Sequence, residues 1–96
     1  MNPELKEKWV KALRSGEYKQ AFLSLRSGQS YCCLGVLCVV AGLTITDDGC
    51  GVDIAGKPSG YLPIKELIGH DPDLFWDKND GGMPFPEIAD YIEQNL

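Results

Sequence analysis

The chain has 96 residues, of which 44% are apolar and 24% charged, and nine Lys and Arg stand against fourteen Asp and Glu for a formal net charge of −5. That length suits one domain, and the composition is that of a folded core rather than a disordered chain. The acidic balance excludes nonspecific gripping of nucleic-acid phosphates, which needs a cationic surface, and four cysteines with one histidine leave room for at most a small metal or thiol site.

Asn2 before Pro3 reads as a helix cap followed by the first helical residue. Leu5, Trp9, Ala12 and Leu13 recur at helical spacing, Lys6, Lys8, Lys11 and Arg14 face the other way, and Gly16 stops the run. The expectation is an amphipathic helix over 3–15. Residues 18–25 read as an extended segment with both faces partly apolar, and Ser27-Gly28 as a turn. The tetrapeptide Leu-Arg-Ser-Gly occurs at 13–16 and again at 25–28, one short recurrence that makes no repeat fold.

Ser30 reads as the cap of a second helix over 31–41, apolar all round and ended by Gly42, which makes it the central buried helix. Gly35 in its middle lowers helix propensity by roughly 1 kcal/mol against Ala, a cost that close approach of a neighbouring element would justify. Residues 43–46, 47–49 and 52–54 read as strand, turn and strand, and 57–60 as another turn. A short helix over 64–68 ends at Gly69, and Asp71-Pro72 repeats the cap-plus-proline pattern for a single turn. Residues 77–82 read as a turn. A last helix runs from Pro86 to about Asn95, with Ile88, Ala89, Ile92 and Leu96 as its apolar stripe and Phe85 stapling its entry. The fold class expected is α+β, three main helices packed on a small antiparallel sheet as one domain over 1–96. Its core would hold Trp9, Phe22, Leu34, Leu37, Val40, Trp76, Ile88 and Ile92.

The charged start of the chain is not a signal peptide. The longest apolar run, 31–45, contains Gly35 and Gly42 and is too short to span a bilayer. A cytoplasmic chain with reduced cysteines is expected. Cys32 and Cys33 are adjacent, about a hundred degrees apart on a helix, and Cys33 and Cys38 lie on different faces, so neither pair aims at one metal ion. Core packing is the better reading of all three. Cys50 lies in a polar loop whose carboxylates disfavour a thiolate, and nothing brings it to His70. Residues 77–82 resemble half a calcium loop, but Gly81 and Ile88 stand where that loop needs oxygen ligands. No catalytic motif, metal set or cofactor motif appears, so no enzyme and no cofactor is expected.

Charge is uneven along the chain. Residues 1–42 carry six basic and three acidic residues, and 43–96 carry three basic and eleven acidic, a balance of +3 followed by −8. On the last helix Glu87, Asp90 and Glu93 repeat every three residues, neighbours roughly 5–6 Å apart. Joined by Asp71, Asp73, Asp77 and Asp80, this row would present negative charge at separations comparable to those of DNA phosphates. A solvated helix face is the plain alternative; a binding face for a basic partner is the sharper one.

The start Asn2-Pro-Glu-Leu-Lys, the segment Trp9 to Gly16, the second Leu-Arg-Ser-Gly, the string Cys32-Cys-Leu-Gly-Val-Leu-Cys38 and the ending from Phe85 to Glu93 resemble a group of small uncharacterised bacteriophage and prophage proteins. In that group the residue after the last cysteine is often acidic; here it is Val39. The resemblance implies the cytoplasm of an infected bacterial host. It also implies an accessory role against host machinery, since several anti-CRISPR proteins are likewise compact, acidic and without enzymatic motifs. The expected function is therefore an anti-defence, anti-CRISPR-like inhibitor. It would bind a basic DNA-recognising surface of a host immune complex, such as a CRISPR interference subunit, through Asp71, Asp73, Asp77, Asp80, Glu87, Asp90 and Glu93. It would partly mimic DNA and bind neither nucleic acid nor membrane. The alternatives are a sponge for a nucleotide signal using Lys19, Arg26 and Lys57, a small thiol or zinc protein, and a phage structural or regulatory part.

Overall fold

Asn2 starts the first helix as its spacing predicts. In the computed structural model, which describes all of residues 1–96, its Oδ1 accepts from the backbone N–H groups of Glu4 and Leu5 at 2.8 and 3.1 Å. The helix, α1, runs Pro3–Arg14. Three two-residue strands follow, β1 (Lys19–Gln20), β2 (Arg26–Ser27) and β3 (Ser30–Tyr31). They form a mixed sheet of order β1-β3-β2, with β1 parallel and β2 antiparallel to β3. The extended segment expected over 18–25 is thus a strand only at 19–20. Ser30 and Tyr31 are strand rather than helix start, and the second helix, α2 (Cys33–Ala41), is capped by the Cys32 Sγ, which accepts from the Gly35 N–H at 3.4 Å.

A second sheet, antiparallel throughout, joins β4 (Thr44–Ile45), β5 (Val52–Ile54) and β6 (Lys57–Pro58) in chain order. The third strand replaces the turn expected at 57–60. Three more helices complete the chain: α3 (Leu62–Ile68), α4 (Asp73–Asp80) and α5 (Phe85–Asn95). The fold is α+β, with five helices and two small three-stranded sheets in place of three helices on one sheet. No helix is long and apolar enough to cross a membrane.

One buried cluster draws on all five helices and on both sheet regions, through Trp9, Leu13, Leu25, Leu34, Leu37, Val52, Ile64, Phe75, Ile88 and Ile92 among others. At its centre the Trp9 ring meets Phe75 edge to face at 5.4 Å, and Phe75 meets Tyr91 at 5.9 Å. The Trp9 Nε1–H donates to the Cys33 carbonyl at 2.8 Å, so the largest core side chain leaves no polar atom unpaired. Two expected core residues, Val40 and Trp76, are only partly buried. Phe22 is 50% exposed, because the chain turns outward between β1 and β2 instead of running as a strand across the core.

Gly35 does what its position predicts. A Cβ there would lie 2.0 Å from the Leu25 carbonyl oxygen, so only glycine lets α2 rest against the segment leading into β2. Gly49 plays the same part from the other side. Its φ is +75°, a Cβ would lie 2.1 Å from the Arg26 carbonyl oxygen, and its own carbonyl accepts from the Leu25 N–H at 2.8 Å. These contacts tie the β4–β5 loop to the first sheet.

Candidate functional site

The acidic residues do not form the single row that their spacing suggests. Helix α1 packs against α5, and this lays the basic end of the chain along the acidic end. Arg14 reaches across with both terminal nitrogens. Its Nη2 meets Asp90 Oδ1 at 2.6 Å and its Nη1 meets Glu93 Oε2 at 2.9 Å. These are the only ion pairs in the chain. Donating to Glu93 and then to Asp90 holds the guanidinium pKa above its usual value. Lys6 adds a bond from Nζ to the Glu93 carbonyl at 3.2 Å. Asp90 and Glu93 therefore share one guanidinium charge, and Glu87, exposed on the same helix, has no cationic partner.

The other four carboxylates divide likewise. Asp71 Oδ1 accepts from the Asp73 N–H at 3.0 Å and so steadies the start of α4. Asp73 and Asp77 are exposed on α4, one turn apart, with no ion-pair partner. Asp80 is half buried, and its Oδ1 accepts from the Leu23 N–H at 2.9 Å and from the Asn79 amide at 3.3 Å. Asp80 is thus a clamp on the loop after β1 rather than a free surface charge. The loop it holds is unusual: Leu23 has φ +65°, a conformation that bulky side chains rarely adopt. Leu23 is 77% exposed beside the half-exposed Phe22, so the clamp presents two apolar side chains to solvent.

Asn79 is the residue that spacing missed. It lies in α4, whose last four residues fall in the turn expected at 77–82, and it is the only buried polar side chain. Its Oδ1 accepts from Gln20 Nε2 at 3.0 Å and from the Cys33 N–H at 3.1 Å. Its Nδ2 donates to the Ala21 carbonyl at 2.7 Å and to Asp80. One amide thereby joins β1, the first turn of α2 and the base of the Phe22-Leu23 loop. The signal available in the sequence was Asp73 to Asp80 at helical spacing with Phe75 and Asn79 inward; the glycine pair at 81–82 obscured it.

The cysteines are free thiols. Cys32, Cys33 and Cys38 are buried, and desolvation raises each pKa: Cys32 to about 11, Cys38 to about 12, and Cys33 well above its usual value. Such thiols are poor nucleophiles at neutral pH. Cys50 is exposed, with its Sγ on the Asp48 carbonyl at 3.5 Å. His70 is exposed elsewhere, lining a depression with Asp71, Leu74, Phe75, Tyr91, Asn95 and Leu96. No three His, Cys, Asp or Glu side chains are grouped to hold a metal ion. Lys19, Arg26 and Lys57, the cations a nucleotide sponge would use, share no principal depression. Arg26 reaches back to the Thr46 carbonyl at 3.4 Å.

One small cavity of about 180 Å³ lies between α2, α3 and α4, lined by Leu34, Tyr61, Pro72, Asp73 and Trp76. The Tyr61 and Trp76 rings meet edge to face there, 5.7 Å apart at 64°. Burial pushes the Tyr61 hydroxyl up to about 12, with nearby acidic groups adding to the shift, so it stays a neutral phenol.

Fold and surface together define a small α+β domain whose polar groups serve packing in the middle and remain free on the α4 side. Residues 1–53 match a family described as a domain of unknown function, DUF8296, and the chain belongs to that family. The matched stretch holds α1, α2, the first sheet and β4; Tyr61, Pro72, Asp73, Trp76 and Asn79 lie beyond it. No curated protein and no solved structure matches the chain.

Proposed function

We propose that this domain is a phage-encoded inhibitor that docks on a basic, DNA-recognising surface of a host defence complex, such as a CRISPR interference subunit, and occludes it. The carrying observation is the division among the carboxylates: Asp73, Asp77 and Glu87 stand exposed without cationic partners, while the chain's only ion pairs are made elsewhere by Arg14. A surface so arranged keeps its negative charge for a partner. Asp73 and Asp77 at neighbouring positions of α4 give a short acidic pair in place of a long phosphate-like row, so the mimicry of DNA is local. The Phe22-Leu23 tip, held by Asp80 from the end of α4, adds apolar contact of the kind that interface centres use.

The test is capture of a partner from host lysate at low and high salt. Raising salt from about 0.05 M to about 0.5 M should weaken capture strongly, since exposed charges are screened over about 10 Å at 0.1 M. Asp77→Lys with Glu87→Lys should abolish it while the unfolding midpoint stays put. Capture that ignores both salt and the double substitution would remove this reading.

A further inference from the structure

The cavity between α2, α3 and α4 has a chemistry of its own. At about 180 Å³ it falls below the roughly 300–1,000 Å³ of cofactor and small-molecule sites, and it suits one side chain. Leu34 is buried, and Tyr61 and Trp76 are each half buried. An edge-to-face pair uses the edge of one ring and one face of the other, so ring faces remain for a third group. Neither the Tyr61 hydroxyl nor the Trp76 indole N–H has a hydrogen-bond partner in the chain, and neither is sealed from solvent. Asp73 supplies a carboxylate without a counter-ion, Asp71 stands two residues before it, and no Lys or Arg lines the cavity. The socket is also pre-formed. Asp71 accepts from the Asp73 backbone N–H, and the Trp76 backbone N–H donates to the Pro72 carbonyl at 3.0 Å, so α4's first turn fixes the backbone from which carboxylate and indole project.

We propose that this cavity is a socket for one arginine side chain of a partner protein, the guanidinium stacking on the Tyr61–Trp76 corner and donating to the Asp73 carboxylate. Aromatic walls with one carboxylate attract a cation. A planar, weakly hydrated guanidinium enters an apolar cavity with less desolvation than a compact ammonium, and it makes the paired bonds a carboxylate accepts. The assignment rests on the docking reading above and names the group on the basic partner that is gripped.

The two tryptophans provide the experiment. Trp9 is buried, with its indole N–H held by Cys33, and it reports the fold; Trp76 reports the socket. The intact chain is titrated with N-acetyl-arginine-N-methylamide, its lysine analogue and its neutral citrulline analogue while both indole N–H resonances are followed by NMR, assigned with Trp76→Phe. The arginine probe should shift Trp76 saturably and leave Trp9 fixed. Citrulline should bind about tenfold more weakly or worse, lysine a few-fold more weakly, and Asp73→Asn should weaken arginine about tenfold with Trp9 unmoved. Equal response to citrulline, equal response to lysine, an unmoved Trp76, or full affinity in Asp73→Asn would overturn the socket. The docking reading fails separately. Probe binding without salt-sensitive capture keeps the socket and removes that partner, and capture lost in the Asp77 and Glu87 variant without probe binding does the reverse.

Discussion

At the scale of single residues the weight falls on Asn79. Removing its amide leaves the Cys33 N–H and the Ala21 carbonyl buried without partners, and each such group costs about 1–3 kcal/mol. Asn79→Ala should therefore lower the free energy of unfolding by about 3 kcal/mol, a shift in denaturant midpoint at unchanged slope. The helical place of Asn79 had a signal in the sequence, but its bonds did not. Its partners lie 46, 58 and 59 residues away, and a buried amide in a stretch rich in Asp, Asn and Gly has the composition of a turn. Asp80 misled for a related reason: spacing gives its charge but not the Leu23 N–H that occupies it.

At the scale of elements Gly35 sets two effects against each other. Gly35→Ala should gain about 1 kcal/mol of helix propensity. The added methyl would lie 2.0 Å from the Leu25 carbonyl oxygen, and backbone must move to admit it. The clash should win, with net destabilisation of about 2 kcal/mol measured by urea unfolding. The need for glycine here was legible because a lone glycine inside an apolar helix weakens that helix unless a neighbour's backbone occupies the space of its missing Cβ. Helices α1, α2 and α5 were legible too, since caps and apolar spacing act within one turn of chain. The strand at 19–20 was legible only as part of a longer extended segment, and those at 26–27, 30–31 and 57–58 were not. Two-residue strands owe their form to the partner they pair with, such as Lys19 with Ser30, rather than to propensity.

At the scale of the whole molecule the uneven charge along the chain is partly undone by folding. α1 lies on α5, Arg14 pairs with Asp90 and Glu93, and Asp73, Asp77 and Glu87 stay exposed and unpaired, as do Glu4, Glu7, Glu17 and Glu66 elsewhere on the surface. Composition sets the surplus of acid; only packing says which acids keep it. The buried thiols impose a limit at the alkaline side. Unfolded cysteines ionise near 9.0, whereas Cys32 and Cys38 hold their protons to about 11 and about 12. Above pH 9 the unfolded chain binds fewer protons than the native one, so stability falls as pH rises. Urea midpoints should stay level between about pH 7 and about pH 8.5 and decline beyond it, and Cys32→Ala with Cys38→Ala should flatten that decline.

The seating of α1 on α5 also sets when the protein can take shape during synthesis. The partners of Arg14 and Lys6 follow them in the chain by 76 to 87 residues, and Trp9 waits for Phe75. A nascent chain emerging from the ribosome therefore covers part of α1 early, with α2, but leaves the face that meets Phe75 and α5 open until those segments emerge, so closure of the core is a late, long-range event.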